Sequence, residues 1–212
     1  MADSPRVAVI DYGSGNLRSV EKALQHAGAG IVRCESPETL EDCAAVVLPG
    51  VGSFGDCARS LEERGLARPL RDWLAADRPY LGICLGYQIL FETSEESPEA
   101  RGLAHWRGKV VRFPGRKDLK VPHMGWNSLE WRTRDPLFHG LGDPSFVYFV
   151  HSYYPDPAEE DLVTASSTHG VSFAAACRRG NVRGVQFHPE KSQSTGLRML
   201  ENFVNELRGA KN

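Results

Sequence analysis

The chain has 212 residues, 41% hydrophobic and 25% charged, enough for one domain with an ample core and of ordinary globular composition. A formal net charge of −2, with no Lys/Arg cluster, argues against a nucleic-acid or membrane surface. No apolar run approaches the roughly 18 residues of a membrane span, and MADSPRVAVI lacks a secretory-signal pattern, so a cytoplasmic protein is expected.

Arg6–Ile10 reads as a buried strand, followed by the turn-rich DYGSGN and a helix over Leu17–His26. Ile31–Cys34 is a short strand, Pro37–Glu41 starts a helix, and Ala44–Leu48 is a strand closed by Pro49-Gly50-Val51-Gly52. Two helical segments cover Phe54–Ala76. Tyr80–Ile83 is a strand that runs into Cys84, and Leu85–Glu92 reads as a helix. Short apolar runs alternating with helices predict a mostly parallel sheet with crossover connections. From about Trp106 the pattern changes. Strands are expected at Val110–Phe113, Ser128–Trp131, Phe146–Val150, Leu162–Ala165, Val171–Cys177 and Val182–Phe187, with no long helix between them, so the second half is more antiparallel. An amphipathic helix closes the chain over Gly196–Leu207, with Leu197, Leu200, Val204 and Leu207 on one side.

The cysteines Cys34, Cys43, Cys57, Cys84 and Cys177 are odd in number, and no two lie two or three residues apart. That speaks against a disulfide framework or a zinc knuckle, and no metal ligand set or cofactor motif is evident. Four of them read as small core hydrophobes. Cys84 differs, because Gly82-Ile83-Cys84-Leu85-Gly86 fits the nucleophile elbow, G-x-Nu-x-G between strand and helix. The tight turn demands glycines two residues either side. The following helix aims its N–H groups and dipole at the thiol, and the Leu85 N–H is placed to stabilise an oxyanion.

A thiolate needs a proton carrier, and the chain has seven histidines. His26 falls in a helix and His105, His139 and His169 in polar turns, which suits surface positions. His123 and His151 lie in aromatic-rich stretches, either packed or lining a site. His188 ends an apolar strand in Gly184-Val185-Gln186-Phe187-His188-Pro189-Glu190, with a carboxylate two residues on. A histidine base works best when a carboxylate fixes its tautomer and orientation. Cys84, His188 and Glu190 are therefore the candidate triad.

Pro49-Gly50-Val51-Gly52, also at a strand's C-terminal end, is a candidate second oxyanion donor or a plain tight turn. Gly13-Ser14-Gly15-Asn16-Leu17-Arg18 follows the first strand but fails as a dinucleotide fingerprint, because Arg18 stands where the third glycine belongs.

Taken together, GICLGYQ, PGVG and HPE resemble the hallmark blocks of the class I, triad-type glutamine amidotransferases. DYGSGNLRSV, LPGVGSFG, PHMGWN (Pro122–Asn127), YFVHSYY (Tyr148–Tyr154) and GVQFHPEKS (Gly184–Ser192) are most similar to one branch, the glutaminase subunits of imidazole glycerol phosphate synthase. The resemblance implies one glutaminase domain over residues 1–212 on that family's mixed, mostly parallel sheet flanked by helices. It implies that Cys84 attacks the side-chain amide of glutamine, His188 moves the protons and Glu190 orients it. Backbone N–H groups of Val51 or Gly52 and of Leu85 would hold the oxyanion. Gly50, Gln88, His151, Ser152 and Tyr153 would bind the substrate. Asn16, Trp126 and Lys191 would face a partner, the (β/α)8-barrel cyclase subunit, with which the chain forms a heterodimer and to which it passes ammonia. The PGVG turn would be the switch that couples the two. Tyr87 departs from the methionine expected in GICLGMQ, and a partly buried helix face would accommodate it. The alternatives are a glutaminase of anthranilate or aminodeoxychorismate synthesis, a cysteine peptidase or hydrolase on a similar scaffold, or a binding subunit with a vestigial triad.

Overall fold

The computed structural model describes residues 4–13, 16–115 and 119–209; Ser14 and Gly15 of the glycine-rich turn lie outside them. The strands are β1 (Arg6–Ile10), β2 (Gly30–Cys34), β3 (Ala45–Leu48), β4 (Tyr80–Ile83), β5 (Thr93–Ser94), β6 (Gly108–Arg112), β7 (His123–Trp131), β8 (Ser145–His151), β9 (Tyr153–Pro157), β10 (Val163–His169), β11 (Val171–Arg179) and β12 (Val182–Val185). The helices are α1 (Leu17–His26), α2 (Phe54–Glu63), α3 (Ala67–Ala75), α4 (Leu85–Gln88) and α5 (Gln193–Gly209).

Nine strands form one sheet in the order β2-β1-β3-β4-β12-β11-β10-β7-β8. Pairing is parallel from β2 through β12 and antiparallel from β12 onward. Burial follows this division. Every residue of β3, β4 and β12 is buried, as expected of parallel strands covered on both faces. β8 alternates instead, with Ser145, Val147, Phe149 and His151 inward and Phe146 outward. α1 turns Leu17, Val20, Ala23 and Leu24 inward and packs on α5. α2 starts at Ser53, whose hydroxyl accepts from the Asp56 N–H at 3.2 Å.

Three expectations are corrected. The helix after Cys84 ends at Gln88, because carbonyls that would continue it are taken by the next segment. Ile89 O accepts from Leu103 N–H at 2.7 Å, Leu90 O from Trp106 at 3.0 Å and Glu92 O from Gly102 at 3.1 Å. The segment over Pro37–Leu40 is a single 3-10 turn. Strand β9 was not anticipated, since Pro155 and Pro157 cannot donate. It survives at the edge of a second, three-stranded sheet (β5-β6-β9), where one side needs no ladder. All five cysteines are free and buried.

Candidate functional site

β4 delivers Cys84 into a backbone conformation rare for a residue with a side chain, φ 54° and ψ −103°. The flanking glycines are steric requirements. A Cβ on Gly82 would meet the backbone of Gly86, and one on Gly86 would strike the Leu48 carbonyl of β3. Because α4 is one turn long, its dipole contributes less to the thiol than a full helix would.

β12 lies beside β4, with Val185 opposite Ile83, so the residues that follow each strand emerge at one edge. Cys84 and the Gln186–Glu190 turn therefore meet. His188 Nδ1 donates to Glu190 Oε1 at 2.9 Å, and the two side chains are 3% and 2% exposed. His188 Nε2 is buried with no well-formed hydrogen-bond partner. Burial alone would lower the pKa of His188. The neighbouring Cys84 thiolate and the Glu190 carboxylate outweigh it and hold the imidazole protonated, raised from 6.5 to about 10. Here the proximity of the sulfur carries more weight than the missing ideal geometry, since resting-state hydrogen bonds at such sites are often poorly aligned.

A cavity of about 320 Å³ opens over this edge, lined by Val51, Gly52, Cys84, Leu85, Gln88, Glu96, Pro122, Val150, His151, Ser152, Tyr153 and His188. It brings together most of the residues expected from sequence. Glu190 stands behind His188. Gly50 lies outside the lining, and a Cβ there would meet the Tyr12 hydroxyl and the Leu85 side chain. The Tyr12 hydroxyl donates to the Val51 carbonyl at 3.3 Å, and Gly52 has φ +108°. Asn16, Trp126 and Lys191 are exposed and do not line the cavity. Tyr87 is fully buried rather than on a half-exposed helix face. Its hydroxyl lies 2.9 Å from Cys177 Sγ, and its ring fills the space over Gly184.

Sequence reasoning missed Glu96 and Gln186. The N–H of Phe54 donates to Glu96 Oε2 at 2.8 Å, and the carboxylate makes no other hydrogen bond among the described residues. Gln186 is fully buried, with Nε2 3.5 Å from Cys84 Sγ, and its Oε1 accepts from Gln88 Nε2 at 3.1 Å. Gln88 Nε2 donates as well to the Tyr153 carbonyl at 2.9 Å. His169, expected at the surface in a polar turn, is half-buried at the end of β10. Its ring stacks on His123 at 4.2 Å, and His123 lies 3.2 Å from His151 Nε2.

The model of the family "Glutamine amidotransferase class-I" matches residues 8–207. The imidazole glycerol phosphate synthase subunit HisH of Desulfitobacterium hafniense (strain DSM 10664 / DCB-2) is 48% identical over 203 residues, covering 94% of this chain and 95% of that one. The HisH subunit of Geobacillus kaustophilus is 48% identical over 210 residues, covering 97% and 99%. Among solved structures, PurLQS from Thermotoga maritima has a TM-score of 0.75 at 21% identity, over 97% of this chain and 100% of that one, which bears on the fold alone. The chain belongs to the class-I glutamine amidotransferases and, within them, to the family of HisH subunits of imidazole glycerol phosphate synthase.

Proposed function

We propose that this chain is one glutaminase domain that hydrolyses L-glutamine to glutamate and ammonia and hands the ammonia to a (β/α)8-barrel cyclase in histidine biosynthesis. The observation that carries the reading is the strained Cys84 sharing one cavity edge with the buried His188–Glu190 pair.

The Cys84 thiolate attacks the side-chain carbonyl carbon of glutamine, and the oxygen becomes an oxyanion held by the Leu85 N–H and by the Val51 or Gly52 N–H. His188, already protonated, gives its proton to the departing nitrogen as the C–N bond breaks, leaving a thioester and ammonia. Neutral His188 then takes a proton from water, which attacks the thioester. Collapse expels the Cys84 sulfur and releases glutamate. Glu190 keeps the Nδ1–H directed, so Nε2 faces the reacting atoms.

The walls suit the rest of the substrate. Both hydrogens of Gln88 Nε2 are committed, to Tyr153 O and Gln186 Oε1, so Gln88 offers only its oxygen and recognises a donor. Glu96 supplies a carboxylate for the α-ammonium, and the backbone around His151, Ser152 and Tyr153 takes the α-carboxylate end.

The partner meets the face beside the cavity. Met124 and Trp126 on β7 and Phe146 on β8 are 63%, 47% and 52% exposed and share one side of the hairpin. Lys191 and Asn16 extend this contact. No helix among the described residues is long and apolar enough to cross a membrane. A cytoplasmic location goes with the biosynthetic role proposed here.

The test is glutamine hydrolysis with and without a barrel cyclase. Wild type is expected to be stimulated, and Cys84→Ala to lose roughly 10⁴-fold or more in both conditions. Retained hydrolysis in Cys84→Ala, or peptide cleavage independent of glutamine, overturns the reading.

A further inference from the structure

The Tyr153 carbonyl can only accept a hydrogen bond, and that fixes the groups behind it. Facing it at 2.9 Å, Gln88 must present its amide nitrogen, whose second hydrogen goes to Gln186 at 3.1 Å. Gln186 must then present its oxygen to Gln88, which leaves its nitrogen on the side of Cys84, 3.5 Å from Sγ. A flipped Gln186 would set N–H against N–H on one side and an oxygen lone pair against the sulfur on the other. Water cannot substitute, because Gln186 is 0% and Gln88 5% exposed. The placement comes from strand register: Val185 lies opposite Ile83, so Gln186 is the residue beside Cys84 where the two strands end.

We infer that Gln186 is a positioning residue for the nucleophile. Its Nε2–H holds the Cys84 sulfur as thiolate, and the direction of that bond is set through Gln88 by the same Tyr153 carbonyl that stands in the substrate wall. The inference rests on Cys84 being the nucleophile of a glutaminase. It adds a donor that neither the triad nor the oxyanion turn supplies. It also ties the substrate wall to the thiol through two amides. A glutamine that merely filled the space would be replaceable by a methionine of similar length without effect on the sulfur.

The experiment measures alkylation of Cys84 by iodoacetamide in the full chain between about pH 5 and 10, across the range where a thiol ionises. The panel is wild type, Gln186→Met, Gln186→Leu, Gln88→Met and the Gln88→Met/Gln186→Met double variant. Cys84→Ala is the blank for the other four thiols, and hydrolysis of glutamine with the cyclase present is measured alongside. Losing a hydrogen bond to a charged group moves the profile of Gln186→Met and Gln186→Leu up by about one pH unit or more. kcat is expected to fall more than KM rises. Gln88→Met, which leaves Gln186 in place but unoriented, shifts the profile the same way by less, and the double variant matches Gln186→Met alone. If a folded Gln186→Met or Gln186→Leu gives the wild-type profile, the positioning role is wrong while Cys84 keeps its function. If neither folds, a wild-type profile for Gln88→Met overturns it equally. Glutamine hydrolysis that survives in Cys84→Ala overturns the underlying glutaminase reading instead.

Discussion

Tyr87 and Gly184 occupy one space between them. The tyrosine ring lies where a Cβ on Gly184 would be, and its hydroxyl reaches Cys177 Sγ on β11. Tyr87→Met is therefore expected to lose a buried hydrogen bond and some packing, about 1–3 kcal/mol of stability by chemical denaturation. Gly184→Ala alone is expected to be destabilising, and the double variant Tyr87→Met/Gly184→Ala to be more stable than Gly184→Ala. At the PGVG turn the Tyr12 hydroxyl tethers the Val51 carbonyl. Tyr12→Phe removes that tether at a cost of about 1 kcal/mol. If the turn is the switch, basal glutaminase rises and the ratio of cyclase-activated to basal rate falls; an unchanged ratio counts against the switch. Gly50→Val would test it poorly, since any Cβ there meets Tyr12 and Leu85. At this scale the elbow and the His188–Glu190 pair were legible, because each requirement lies within a few residues of sequence. Gln186 was not, because a buried glutamine in an apolar strand end carries no periodic signal. Only the pairing of β12 with β4 reveals what it touches.

The β7–β8 hairpin carries two opposite faces, apolar and exposed on one side, histidine-rich and buried on the other. His123 on β7 is in register with His151 on β8. Asn127 Nδ2 donates to His123 Nε2 at 3.2 Å, so His123 donates from Nδ1 to His151, and His151 donates from Nδ1 to the Tyr153 carbonyl at 2.8 Å. Desolvation is the main reason both rings stay neutral, His123 pushed down to about 4 and His151 to about 3. The unfolded chain then binds more protons than the folded one as pH falls from about 6.5 toward those values, so acidification destabilises the fold. His188 works in the opposite window. Its folded-state pKa is raised, so its contribution is present below about 6.5 and is lost as pH climbs toward 10. Thermal unfolding against pH is expected to fall off on both sides of about 6.5. His123→Phe should flatten the acid limb, and His188→Asn the alkaline one. The beginning of β7 escaped sequence reading because Pro122 and Gly125 look like loop. The early end of α4 escaped it because the competing donors lie on residues 102–106, remote from any local signal.

Across the whole molecule, the parallel half was easier to read than the antiparallel half. β1, β3 and β4 are short apolar runs bounded by turn residues, and burial on both faces enforces that composition. The three-stranded sheet had no such signature, since β5 is two residues long and β9 contains two prolines. Met124, Trp126 and Phe146 are exposed, and the hairpin that carries them is the seat we propose for the cyclase. Trp126→Glu should weaken the complex by about 2 kcal/mol or more, a roughly 30-fold loss in affinity by titration calorimetry. Basal glutaminase is expected to be unchanged, because Trp126 does not line the cavity.

The stitching of β8 to the HPE turn carries one further consequence. The Tyr148 carbonyl accepts from the His188 N–H at 3.0 Å, and the Tyr148 N–H donates to Ser192 Oγ, whose own hydrogen goes to the His188 carbonyl at 2.7 Å. Tyr148 sits directly across from Trp126 on the neighbouring strand. In the complex we propose, a subunit seated on the indole would pull on a lever with the imidazole at its other end. Assembly of that complex and alignment of the proton carrier would then be a single mechanical event.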